Sequence, residues 1–169
     1  DSIHAIAIDS TGLKRFGRGE WHQEKYELSN KASWRKLHVA VNENHYYEAC
    51  VLTDRFGSDE AQVAPLLEQI EQIEQDIDHL TADGAYDKVP VYDAITVHSP
   101  DSEVVIPPRE DAVFRKDAIL WRNRNLLEIK TLGRMQWQEQ RHYGQRNYSE
   151  LAVQHYQKIL GNTMHARES

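Results

Sequence analysis

Two short segments rich in apolar and β-branched residues each stop at an aspartate. Ile3 to Ile8 (IHAIAI) ends at Asp9, and Ile77 to Ala82 (IDHLTA) ends at Asp83-Gly84. Runs of this length, bounded by turn-forming residues, read as buried strands rather than helices. Buried strands need helices over their faces, and the rest of the chain supplies them. Trp34 to Val41 alternates with Leu37, Val39 and Val41 on one face, and Tyr47 to Leu52 alternates again. Asn42-Glu43-Asn44 between them makes the pair an antiparallel hairpin. Ser10 to Ser33 is polar and aperiodic, the pattern of a long loop or irregular hairpin. Ser58-Asp59-Glu60 reads as a capped helix start, with Pro65 restarting the helix at its first position. Leu66, Leu67, Ile70 and Ile73 form its apolar stripe. A helix is expected over Val89 to Val97, a strand over Val104 to Ile106 closed by Pro107-Pro108, and a helix over Ala118 to Ile129. A last helix runs from about Arg146 to Leu160, with Ala152, Tyr156, Ile159 and Leu160 as its packing side. The order β-β-β-α-β-α-β-α-α predicts an α/β fold: a three-stranded antiparallel meander followed by parallel strands in one mixed sheet, flanked by helices.

The chain has 169 residues, one domain's worth, with 40% apolar and 28% charged residues. Disorder and low-complexity classes are excluded on that balance. No run of about 18 apolar residues is present to span a membrane. The single Cys50 rules out an intramolecular disulfide framework and a four-cysteine zinc site, and fits a reducing, cytoplasmic compartment. The nine His residues include no H-E-x-x-H arrangement, which disfavours a zinc hydrolase. The chain opens without Met on the edge of a strand and is expected to be a piece of a longer protein.

Twenty Lys and Arg stand against 27 Asp and Glu, a net charge of −7, which counts against a nucleic-acid partner. The distribution says more than the sum. Gly12 to Lys36 carries seven basic residues against three Glu, and Pro107 to Arg146 carries nine against five acidic ones. Asp59 to Asp83 between them holds eight carboxylates and no Lys or Arg. A basic face on an acidic molecule is one reading, and solvated surface charge is the other.

If the strands that end at Asp9 and Asp83 lie side by side and parallel, their ends project both carboxylates into one crevice, where open α/β sheets place their sites. Close carboxylates repel unless a cation bridges them, and hard oxygen donors suit Mg²⁺ or Mn²⁺. Each aspartate alone is equally a strand-end or turn residue. Glu150 is the third candidate. In a helix extended back through Tyr143, the spacing Tyr143, Arg146, Glu150 falls within roughly 60° of arc, with Gln157 on the same face. An exposed Arg146–Glu150 pair is the simpler alternative.

Together these pieces resemble the catalytic domain of bacterial insertion-sequence transposases of the DDE type. The matching segments are AIDSTGLK (Ala7 to Lys14), ASWRKLHVAV (Ala32 to Val41), LTADGAYD (Leu80 to Asp87), VVIPPR (Val104 to Arg109) and YGQRNYSELAVQHYQKILG (Tyr143 to Gly161), in the family's order. The last is similar to the Tyr-x₂-Arg-x₃-Glu-x₆-Lys signature of one group, except that Gln157 stands where Lys is expected and Lys158 follows. The resemblance implies a ribonuclease-H-like domain over residues 1–169, without the N-terminal DNA-binding region and the extreme C-terminus of the family.

It also implies a catalytic and metal-binding trio of Asp9, Asp83 and Glu150 holding two Mg²⁺ or Mn²⁺ ions, and metal-dependent cleavage and strand transfer at insertion-sequence ends. Tyr143, Arg146 and Lys158 would contact DNA-end phosphates. Lys14, Arg35, Lys36 and Arg109 lie in the basic stretches that would track the backbone. Double-stranded DNA and a second copy of the chain are the implied partners. Trp137 either stacks on an unpaired base or packs in the core. A non-catalytic, transposase-derived DNA- or partner-binding protein, and a ribonuclease-H-like nuclease, are the competing readings.

Overall fold

A computed structural model describes residues 4–15, 34–71, 76–116, 120–161 and 163–164. Its frame is a mixed sheet in the order β3-β2-β1-β4-β5, with β6 added at the far end of β1. The strands are β1 (Ala5–Arg15), β2 (Trp34–Asn42), β3 (Tyr47–Asp54), β4 (His79–Thr81), β5 (Glu103–Val105) and β6 (Thr163–Met164). β1, β2 and β3 are antiparallel neighbours, and β4 and β5 then run parallel to β1. The α/β, ribonuclease-H-like expectation is met: a meander followed by parallel strands, with helices on both faces.

Alternation along β1 and β2 assigns the faces. Ile6, Ile8 and Ala40 point to one side, where they join Leu80 and Val104. That side is covered by α1 (Val63–Glu71) and α2 (Val89–His98) through Leu66, Leu67, Ile70, Val91, Tyr92 and Ile95. Val39 and Val41 point to the other side and pack against Ala152 of α5 (Asn147–Leu160). α3 (Leu120–Leu132) packs beside β5, and α4 (Arg134–Gln140) packs on α3. Asn125, fully buried on α3, donates to the Val104 carbonyl at 2.9 Å and so occupies the open edge of β5.

Several elements depart from the sequence reading. β1 continues through Ser10 to Arg15, into the stretch expected as a long loop or irregular hairpin, because β2 pairs with it antiparallel, residue for residue, from Ile6↔Asn42 to Lys14↔Trp34, which fits the hairpin alternative. Asp9 is therefore a mid-strand residue. Residues 16–33 of the expected loop, Ile3, Ile73 and the expected helix start at Ala118 lie outside the described residues. α1 begins at Val63, after a 3-10 turn at Glu60–Gln62, so Pro65 sits inside its first turn, where a missing N–H costs nothing. Asp59 makes no side-chain cap bond there. α4 was not foreseen. It is set off from α3 by Gly133, whose φ of 83° and ψ of 156° suit glycine almost alone. On α5 the buried residues are Ser149 and Ala152, whereas Ile159 and Leu160 are 79% and 62% exposed. Small side chains let the helix approach the sheet, and Ile159 and Leu160 of its last turn face away from it.

Candidate active site

The parallel ladder between β1 and β4 sets the register of the two aspartates. Its last pair is Ala7↔Thr81. Asp9 and Asp83 each stand two residues further on, Asp9 within β1 and Asp83 just past the end of β4. Asp83 keeps an extended backbone (φ −77°, ψ 173°), so the alternation of β4 carries through to it. Ala82 belongs with Leu80 to the α1/α2 core, which turns Asp83, like Asp9, toward the α5 side. Each carboxylate is oriented by a local amide. Asp9 accepts from the Ser10 N–H and Asp83 from the Ala85 N–H, both at 2.8 Å. Gly84 lets this turn close. A Cβ there would lie 3.1 Å from the Pro107 carbonyl, which brings the segment leading to Arg109 against the turn.

The third carboxylate comes from α5. The helix rests on β1 and β2, and the 3-10 turn that leads into it, Tyr143–Arg146, rests on β1 and β4. His142 starts that turn in the left-handed region (φ 51°). The expected single helix through Tyr143 is thus a 3-10 turn followed by a helix, and residues three apart in such a turn still share a side. Arg146 Nη1 lies 2.7 Å from Glu150 Oε1.

Electrostatics show that these groups share one neighbourhood. Burial is the main cause raising the Asp9 carboxyl above the ordinary carboxylate range. The Ser10 N–H and the Arg146 charge oppose it, and the charges of Asp83 and Glu150 add to it. Burial likewise raises the Tyr143 hydroxyl, with Arg146 and Arg134 opposing and Asp83 and Glu150 reinforcing. The charges of Asp83, Glu150 and Arg146 therefore reach both Asp9 and the Tyr143 hydroxyl, beside the interior strands β1 and β4.

A family model described as transposase DDE domain matches residues 2–162. The chain belongs to this family.

In this DDE domain the donors suit a hard divalent cation by type: carboxylate oxygens only, one of them a buried Asp9 whose charge is unfavourable beside two like charges. Glu150 is turned to Arg146, and among the described residues no three acidic, His or Cys side chains stand close enough together to hold a metal ion. Asp87, the last residue of the LTADGAYD segment, is committed elsewhere, buried and paired with Arg122 at 3.1 Å.

The other expected residues divide. Gln157, at the position of the signature lysine, donates to Thr11 Oγ1 at 3.2 Å and ties α5 to β1 two residues past Asp9. Lys158 and Arg109 are exposed. Arg35 pairs in register with Leu13, on the α5 side, and Lys14 lies near the end of β1 opposite Trp34. Lys36 is turned to the other face of the sheet, where its Nζ lies 2.8 Å from Asp59 Oδ2. The basic stretch between Lys14 and Arg35 falls largely outside the described residues. Trp137 is fully buried and its ring meets that of Tyr143 at 5.7 Å, so it is a packing residue that backs the tyrosine.

One cluster has no sequence signal. Behind Asp9, on the α1 side, Ser10 pairs across the strands with His38, which is fully buried. His38 Nδ1 lies 3.3 Å from Asp59 Oδ1, and Nε2 is 3.0 Å from Thr53 Oγ1. Tyr86 is buried nearby, its hydroxyl pushed far up by burial and then by the charges of Asp59 and Asp9. Asp59 reads as a helix cap in sequence. Only folding brings it to His38 and Lys36.

Proposed function

We propose that this DDE domain cuts DNA strands at insertion-sequence ends and joins them to a target, with Asp9, Asp83 and Glu150 holding two Mg²⁺ or Mn²⁺ ions. The observation that carries the reading is that Asp9 and Asp83 each stand two residues past the last pair of the parallel β1–β4 ladder and face the α5 side of the sheet, with the Glu150 charge acting on Asp9. Ions so held would supply Lewis acidity toward the attacking hydroxyl and the leaving oxygen of an in-line phosphodiester displacement.

The chain's own groups do the rest. The Ser10 and Ala85 amides keep one oxygen of each aspartate oriented, so both carboxylates are set before substrate arrives. The raised Tyr143 hydroxyl stays protonated at neutral pH and donates to a phosphate oxygen. The Trp137 ring holds the tyrosine in place. Arg146 contributes charge-assisted bonds to a phosphate, and Lys158, Arg109 and Arg35 extend the contact along the backbone; Lys14, which alternation along β1 turns to the opposite face, does not. Lys36, committed to Asp59, is left out of that path. Cutting two ends together calls for a second copy of the domain.

The test is cleavage of a duplex carrying the element's ends, with and without Mg²⁺, by the wild type and by Asp83→Asn. Mg²⁺-dependent nicking that drops to background in the variant is expected. Equal products from both proteins would remove the enzymatic reading. Binding without cutting would favour a non-catalytic descendant, and cutting of RNA–DNA hybrids regardless of sequence would favour a ribonuclease-H-like nuclease.

A further inference from the structure

Resting on that reading of the acidic site, we propose that Arg146 and the divalent cation compete for Glu150, so that cation binding releases the guanidinium to a DNA phosphate and the two ligands bind cooperatively. The Arg146–Glu150 bond at 2.7 Å fixes Glu150 toward the arginine. The same guanidinium charge acts on Asp9 and on the Tyr143 hydroxyl, so it lies within electrostatic reach of the whole site. A cation drawn to Glu150 and Asp9 is repelled by it, and the arginine–glutamate pair weakens.

The pair is built to exchange. Its side chains are 25% and 39% exposed, and ion pairs this open are individually weak. Arg146 is anchored through its backbone instead. Its carbonyl accepts from the Ser149 hydroxyl at 2.8 Å, and its turn is seated on β1 and β4. A released guanidinium therefore stays within one side-chain length of the acidic site. Its Nε is buried without a hydrogen-bond partner, a donor that the pair with Glu150 does not satisfy. Linkage makes the effect reciprocal: a phosphate that takes Arg146 frees Glu150 for the cation by the same factor.

The experiment titrates the 169-residue chain with Mn²⁺ by calorimetry, and measures binding of a labelled end-sequence duplex by anisotropy in EDTA and in Ca²⁺. Arg146→Gln is expected to bind Mn²⁺ about fivefold or more tightly than wild type while binding duplex more weakly. Ca²⁺ should strengthen duplex binding by the wild type, and that gain should vanish in the variant. Arg146→Met, of similar length and uncharged, should repeat the pattern if Arg146→Gln is poorly folded. A purely structural pair would lower the melting temperature and weaken both ligands. Unchanged or weaker Mn²⁺ binding in both variants, or a Ca²⁺ gain that persists, overturns the exchange. Asp9→Asn separates the two ideas. If it abolishes Mn²⁺ binding while the Arg146 variants bind like wild type, the acidic site stands and only the exchange fails. If it leaves Mn²⁺ binding intact, the acidic site itself fails.

Discussion

At Asp9 folding and function pull in opposite directions. Its carboxyl is raised above the ordinary range by burial first, with Asp83 and Glu150 adding to the shift. A raised carboxyl means that the folded chain binds the proton more readily than the unfolded one. Ionisation at neutral pH therefore works against folding, and this cost fades as pH falls through the folded value. Asp9→Asn is accordingly expected to raise the melting temperature at pH 7 by about 1–3 °C while abolishing cleavage; a calorimetric scan that shows a lower melting temperature contradicts the account. Sequence makes Asp9 and Asp83 visible, because each follows a short apolar run at a point where chain and polarity change together. Glu150 is visible only through its spacing from Tyr143 and Arg146. Asp59 and His38 are not visible at all, since nothing local records that a residue read as a helix cap meets a histidine 21 positions earlier.

Element boundaries follow the same logic. β1 reads as a strand only as far as Ile8, because its later half is polar and draws its order from pairing with β2, a partner that local pattern cannot reveal. The apolar residues at the end of α5 suggest a longer buried stripe than exists. Ile159 and Leu160 are exposed, and the contact that docks the helix uses Ser149 and Ala152. That contact also carries Glu150, two residues before Ala152. Ala152→Leu should overpack the seam against Val39 and Val41 and cost about 1–3 kcal/mol in urea unfolding. It should also reduce cleavage more than an equally destabilising change in α2. Equal activity losses from the two would separate helix placement from function.

On the scale of the whole molecule, folding turns Asp9 and Asp83 to the face of the sheet that α5, the helix carrying Glu150, covers. His38 and His79 are among the histidines that the same compaction buries. His38 and His79 are both lowered, chiefly by burial; Asp59 opposes this at His38, as the Arg141 carbonyl does at His79. Their folded values lie below the ordinary value of about 6.5, so the unfolded chain takes up protons first as the medium acidifies. Stability is therefore full above about pH 6.5 and declines as pH falls below it. Thermal melts at pH 8, 7, 6 and 5 should show that decline, and His79→Gln should flatten it; a variant with the wild-type slope would assign the acid sensitivity elsewhere. The central claim is that Asp9, Asp83 and Glu150, distant in sequence, act as one cation site. Paramagnetic titration with Mn²⁺ tests it most directly, on the wild type and on Asp9→Asn, Asp83→Asn and Glu150→Gln, each verified as folded by its melt. Saturable binding by the wild type is expected, weakened about tenfold or more by each single neutralisation, as follows when one of a few charged ligands is lost. Any one of the three binding Mn²⁺ as the wild type does would contradict that claim.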